Sequence, residues 1–200
     1  MIITIGSIIA AAATVVKALT VVGLAVQGLK AIGNALVSLG KALGLIKPET
    51  KVEELGDKAI QSEYKPEDND SYAEYENAVE EYDLDPEKSK LTSEEDKIRK
   101  GMELAAGVAI EKYNEFPIQG LIVEMGKNPE YFTEGKMNAI ADLIESNGQY
   151  ISGILEYLNG AEKDPDKLKE TADALIKIEK IVDPKLSDND ALKNVLQLMK

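Results

Sequence analysis

Residues 1–47 contain no aspartate or glutamate, and all 36 acidic side chains of the 200-residue chain follow Lys47. The opening stretch carries four lysines, Lys17, Lys30, Lys41 and Lys47, and is otherwise mostly Ala, Leu, Val, Ile and Gly, with no proline before Pro48. A long Ala- and Leu-rich run without proline predicts helix. One continuous helix over residues 2–46 would be about 65 Å long at the α-helical rise. So long and apolar a rod needs covering, and the sequence predicts cover from outside the chain: further copies, other subunits or lipid. Its uncharged runs, 1–16, 18–29 and 31–40, each fall short of the roughly 18 residues of a clean membrane span. Spans that tolerate Lys17 or Lys30 near an end stay open through snorkelling. A bend near Gly23 or Gly28 would turn the rod into a hairpin. The absence of a basic leading segment, and an apolar stretch of over forty residues, argue against a cleaved signal.

Small residues form ridges along this helix. Gly6, Ala10, Thr14 and Ala18 are spaced by four, as are Ala31 and Ala35, and Gly40 and Gly44. Such ridges let helix backbones approach closely, so these eight residues are the expected oligomer or membrane contacts. Lys30-Ala31-Ile32-Gly33 recurs as Lys41-Ala42-Leu43-Gly44, an eleven-residue interval that keeps one face in register.

The whole chain carries −13, and the four lysines of residues 1–47 leave −17 on the remainder. Nucleic acid and anionic lipid heads repel such a surface, so no nucleic-acid partner is expected. Cysteine and histidine are both absent. That removes disulfides, thiolate nucleophiles and the commonest acid–base residue and transition-metal ligand.

Residues 48–91 predict a capped short helix and an acidic, tyrosine-bearing linker. Thr50-Lys51-Val52-Glu53 has the form of a capping box, with Val52, Leu55, Ala59 and Ile60 on the apolar side. Tyr72, Tyr75, Val79 and Tyr82 recur at helical spacing behind Ser71, a candidate cap. Tyr72, Tyr75 and Tyr82 are therefore candidate docking residues, against a reading of the span as solvated linker. Asp68-Asn69-Asp70 and Asp188-Asn189-Asp190 start like calcium loops but lack the glycine at position six and the glutamate at position twelve, so no metal site is expected.

Residues 92–200 predict an acidic bundle of about five short helices, folding by itself. Thr92-Ser93-Glu94-Glu95 reads as a capping box. Ile98, Met102, Ala105, Ala109, Tyr113 and Phe116 line one face of a helix that Pro117 ends. Gln119–Met125 is a short turn or helix, a further helix fits 134–147, and Ile151, Ile154, Leu155 and Leu158 mark the next. Asp164-Pro165 opens a helix with Leu168, Ala172, Leu175, Ile178 and Val182 inward. Ser187 with Asp190 opens the last, with Ala191, Leu192, Val195 and Leu196 inward. No segment alternates as a strand would. The expected fold class is all-α: a long N-terminal apolar helix, straight or bent, joined by an acidic linker to a C-terminal bundle.

No phosphate-binding glycine loop, nucleophile elbow or dinucleotide fingerprint occurs. Glu124, inside Leu121-Ile122-Val123-Glu124-Met125, is the one acid with apolar neighbours on both sides. The expectation is a non-enzymatic protein with no cofactor and no small-molecule substrate.

Residues 2–46 resemble the apolar, Ala/Gly-rich helices of phage tail tape-measure and tail-interior proteins. The resemblance implies a structural component of a phage tail or related contractile or injection machine. Such a component forms a homo-oligomer or joins other subunits in the tail interior or hub of a virion, and meets a target membrane on delivery. True tape measures are far longer, which favours an accessory or hub protein. The same segment is similar to the apolar helices of bacteriocins, implying instead a membrane-associated, membrane-inserting or pore-forming protein, holin-like in effect. A soluble helical adaptor whose first helix is its core is the third reading.

Overall fold

The apolar opening stretch is two helices rather than one rod. In the computed structural model, which describes residues 4–21 and 25–199, α1 spans Ile5–Val21 and α2 spans Val26–Ala42. A bend at Gly23 lies outside the described residues, and Gly28 sits in the first turn of α2, its N–H bonded to the Ala25 carbonyl. α2 stops at Leu43-Gly44. Gly44 takes φ +65°, a conformation that costs glycine nothing. The Leu45 N–H then reaches the Gly40 carbonyl at 2.8 Å and the Gly44 N–H reaches that of Lys41 at 3.0 Å. This is the Schellman closure, and Ile46 folds over Gly40 to complete it.

The remaining helices are α3 Val52–Ser62, α4 Tyr72–Glu80, α5 Pro86–Ser89, α6 Glu94–Lys112, α7 Ile118–Lys127, α8 Glu134–Ser146, α9 Gln149–Leu158, α10 Pro165–Val182 and α11 Asp188–Leu196. The described residues are all-helical, with no strand. Caps set several starts. Ser71 accepts the Glu74 N–H, Asp164 that of Asp166, and Ser187 that of Asp190. Two expected boxes differ. α3 is capped at Lys51 without a side-chain bond, because the Thr50 hydroxyl is turned to Glu80 instead. α6 is capped by Ser93, one residue later than Thr92, with Asp96 rather than Glu95 as its partner.

α6 organises the molecule. It buries Ile98, Met102, Leu104, Ala105, Ala106, Val108, Ala109 and Ile110, which lie all round its axis. Residues 104–110 are buried on every side, and such a stretch must be enclosed by neighbours. α1, α2, α3 and α4 lie against it from the N-terminal part of the chain, and α7 from the C-terminal part. α2 also packs on α8 and α1 on α7, while α10 bridges α8 and α9 and carries α11. One apolar cluster therefore runs from Ile8 to Leu198, across all three spans suggested by composition.

This overturns the expectation that the opening stretch needs an outside cover. Ile8, Ala12, Val15, Val16 and Leu19 of α1 and Leu29, Ile32, Leu36 and Leu39 of α2 are buried within the chain. Burying a large aliphatic side chain is worth roughly 1.5–3 kcal/mol, which is why the stretch folds back. Charge assists. Lys30 pairs with Glu53 and lies 3.2 Å from Glu94, and Lys47 pairs with Glu81 and lies 3.5 Å from Glu80. Residues 48–91 are likewise no free linker, since α3 and α4 both pack on α6. Four inward assignments fail: Ile60 lies at the margin of exposure, and Leu192 and Leu196 face outward on α11, as does Val182 at the end of α10. Only Ala191 and Val195 anchor α11 through its helical face.

Candidate functional site

Turning Ile8, Ala12, Val15 and Leu19 inward leaves Gly6, Ser7, Ala10, Ala13, Thr14 and Lys17 on the outer face of α1. No acid occurs on it. Its hydroxyls are already engaged. Thr14 donates to the Ala10 carbonyl at 2.7 Å and Ser7 to that of Thr4 at 2.7 Å. The face thus presents mostly small apolar groups. Along one flank Thr14, Val15 and Ala18 form a groove with Gly120, Val123 and Leu155 of α7 and α9, about 380 Å³ in volume.

Of the expected small-residue contacts, Gly6, Ala10 and Thr14 are exposed together, and Ala18 is half-buried at the groove. The second set is divided. Ala31 is exposed on α2, Ala35 and Gly40 are in the core, and Gly44 ends the helix. The ridge reading fails there because α2 turns its Ala35 and Gly40 face to its own neighbours.

The tyrosines dock inside the chain. Tyr72 and Tyr75 are buried with their rings edge-on, centroids 5.5 Å apart. The Tyr72 ring fills the space that a side chain at Gly107 of α6 would occupy, and its hydroxyl donates to the Glu103 carbonyl at 3.3 Å. Burial pushes the phenol of Tyr72 far up, and that of Tyr75 to about 12. Glu111 of α6 accepts the N–H groups of Tyr72 and Ala73 at 2.8 and 3.0 Å, satisfying the open end of α4. Tyr82 lies beyond α4, half-buried, edge-on to Tyr64 at 6.2 Å.

Sequence reasoning did not find the buried polar groups. Asp57 of α3 is 3% exposed. Its carboxylate accepts from Lys97 at 2.9 Å, from Gln61 at 3.0 Å and from the Ser89 hydroxyl. Desolvation pushes its proton affinity up, but the bonds from Ser89, Lys97 and Gln61 outweigh that and hold it below the ordinary aspartate range. The lowered value means that this contribution to stability is present at neutral pH and lost as pH falls through the acid range. Asp57→Ala leaves Lys97 half-stranded. An expected loss of about 2 kcal/mol, of the size of a charged hydrogen bond, is readable from urea melts at pH 7.

Glu179 of α10, 3% exposed, forms a second centre with Lys136 and with Asn194 at 2.8 Å. The Lys136 ammonium also sits 3.7 Å from the centroid of Tyr131, a cation–π contact. Beside it opens a cavity of about 550 Å³ reached by Lys127, Asn128, Asn194 and Gln197. Glu124 is buried on α7 and paired with Lys127. Asp188 and Asp190 are held by Lys180 and by Ser187 and Lys193, so the Asp-Asn-Asp run of α11 is committed to helix capping and ion pairs. Among the described residues no three acids are grouped to hold a metal ion.

The remaining exposed apolar side chains include Ile181, Val182, Leu192, Leu196 and Met199, at the end of α10 and on and just after α11. Among the described residues no helix is long and apolar enough to cross a membrane. Comparison with protein-family models, with curated proteins and with solved structures finds nothing that matches this chain.

Proposed function

We propose that this protein is a non-enzymatic helical assembly subunit that associates with further copies of itself through the outer face of α1. The observation that supports this reading is an exposed, acid-free, small-residue surface on a molecule that carries −13 overall. Copies that meet through other faces bring acid against acid, which opposes contact. Copies that meet through Gly6, Ala10, Ala13 and Thr14 can bring helix backbones close together without that repulsion.

The resemblance of residues 2–46 to tail-interior helices suggests the setting, an accessory or hub position in a phage tail or related injection machine. The burial of α1 and α2 changes the form of that proposal. A folded subunit presents one helix face, in place of a bare rod lying in a tube.

The test is light scattering on the full chain over a concentration series, beside the double substitution Ala10→Glu and Thr14→Glu. Both positions are exposed, so the variant should keep its helical circular dichroism. The wild type should form a defined oligomer and the variant a monomer. A wild type that stays monomeric throughout rejects self-association. Flotation of the wild type with liposomes, lost in the variant, would transfer the same face to the membrane reading.

A further inference from the structure

α4 carries two glutamates one turn apart on its inner face, Glu76 and Glu80, which helical spacing places side by side. Glu76 is 1% exposed, and neither of its carboxyl oxygens has a hydrogen-bond partner outside this pair. Glu80 is 7% exposed and well held. One of its oxygens accepts the Thr50 hydroxyl and the Lys47 N–H at 3.4 Å, and the other lies 3.5 Å from the Lys47 ammonium. The partners are unequal: one carboxyl is anchored, its neighbour stranded.

The surrounding charges cannot support two anions. From the turn before α3, Lys47 is shared with Glu81 and its side chain is 39% exposed. From α3, Lys58 gives its ammonium to the Glu80 carbonyl and pairs with Glu54. From α6, Glu103 adds negative charge near Tyr72 and Tyr75 and Glu111 near Tyr72, and Lys112 is turned to the Leu43 carbonyl. From the turn before α4, Glu67 is negative too. Two buried like charges beside one partly exposed lysine are expensive, and retaining one proton between them removes the cost.

We propose that Glu76 and Glu80 share a proton as a buried acid pair, and that this pair is a latch fastening α4 and the turn at residues 47–50 onto the body. Closed, Glu76 is the neutral acid and donates to Glu80, whose remaining bonds hold Thr50 and Lys47. Opened, α4 withdraws Tyr72 and Tyr75 from α6 and bares the surface around Gly107. A cavity of about 230 Å³ lined by Lys47, Glu49, Thr50, Glu54, Lys58 and Glu80 reaches the Glu80 side of the pair. Desolvation, reinforced by Glu80, pushes the Glu76 carboxyl up to about 8 against an ordinary 4.5. A raised value means that the latch is fully fastened below the ordinary value and is released as pH climbs through about 8. This inference does not depend on the α1 face.

The test is hydrogen exchange of the full chain from pH 5 to 9, corrected for intrinsic rates, comparing wild type with Glu76→Gln. The amide keeps a neutral donor beside Glu80 at every pH. Protection of residues 72–80 in the wild type, relative to the variant, should fall by about tenfold per pH unit between pH 5 and 8 and then level off. Protection of α10 should not follow it. Parallel curves for the two proteins overturn the latch. Should the variant fail to fold, infrared spectroscopy of the wild type at pH 7 decides. A protonated-carboxyl band that disappears by pH 9 supports the shared proton, and its absence at pH 7 rejects it.

Discussion

A fragment comprising residues 92–200 is expected to melt without a cooperative transition, although the full chain melts cooperatively. The fragment retains α6 to α11 but loses α1 to α5, of which α1 to α4 cover α6 on several sides. Ile98, Met102 and Ala105, each at or near zero exposure in the whole molecule, would face water. So would Ile122 and Met125, beside the seat of Leu19 at Gly126. At roughly 1.5–3 kcal/mol for each large apolar side chain, uncovering these five costs on the order of 10 kcal/mol, comparable with the whole stability of about 5–15 kcal/mol that a domain has to lose. Thermal circular dichroism with dye binding checks this. A sharp transition without dye-accessible apolar surface would show instead that the C-terminal part is an independent domain.

Gly101→Ala is expected to cost upwards of about 3 kcal/mol, despite placing a better helix former inside a helix. α3 and α6 cross at a pair of glycines. A Cβ at Gly101 would stand 2.0 Å from the Val52 carbonyl oxygen, and one at Gly56 would stand 1.8 Å from that of Lys97. The obstacle in both cases is backbone, which moves only if a whole helix moves. Alanine gains about 1 kcal/mol of intrinsic propensity, whereas overpacking costs typically 1–3 kcal/mol and more where nothing can give way. The clash wins. Gly6→Ala supplies the contrast, since nothing lies within 4 Å of its position. It should be neutral or gain a few tenths of a kcal/mol. Urea melts of the three proteins at one low concentration read the difference directly. A Gly101→Ala chain as stable as the wild type would show that α3 does not lie so tightly on α6.

Much of the helical order was legible in the sequence. Ser71, Asp164 and Ser187 mark helix starts because a short oxygen-bearing side chain before an amphipathic run serves the free N–H groups. Pro165 and Asn147-Gly148 mark a start and an end for equally local reasons, whereas α6 stops at Lys112, short of the end expected at Pro117, which instead precedes α7. The errors share one cause. Periodicity tells which residues can share a face, but not what lies against that face. Leu192 and Leu196 fit the pattern of α11 as well as Ala191 and Val195, yet only the latter pair is buried. Gly40 and Gly44 fit a contact ridge, yet one packs under Ile46 and the other ends the helix.

The candidate site divides in the same way. Gly6, Ala10, Thr14 and Ala18 stand out from spacing alone, because small residues four apart align on any helix. That three of them are bare while Ala35 is buried depends on which side of each helix α6 claims. The acids that matter inside, Asp57, Glu76, Glu80 and Glu179, could not be picked out among 36. Their burial comes from partners far along the chain, such as Thr50 for Glu80 and Lys136 for Glu179.

What the residue order fixed is local: helices throughout, most of their ends, and an acid-free opening followed by an acidic remainder. What only the packed molecule decided is who covers whom. An aliphatic helix is satisfied equally by lipid, by a sister subunit or by its own chain, since burial of apolar surface has no direction. Here the choice fell to α6, whose residues 104–110 are buried on all sides and which α1 and α2 cover in covering themselves.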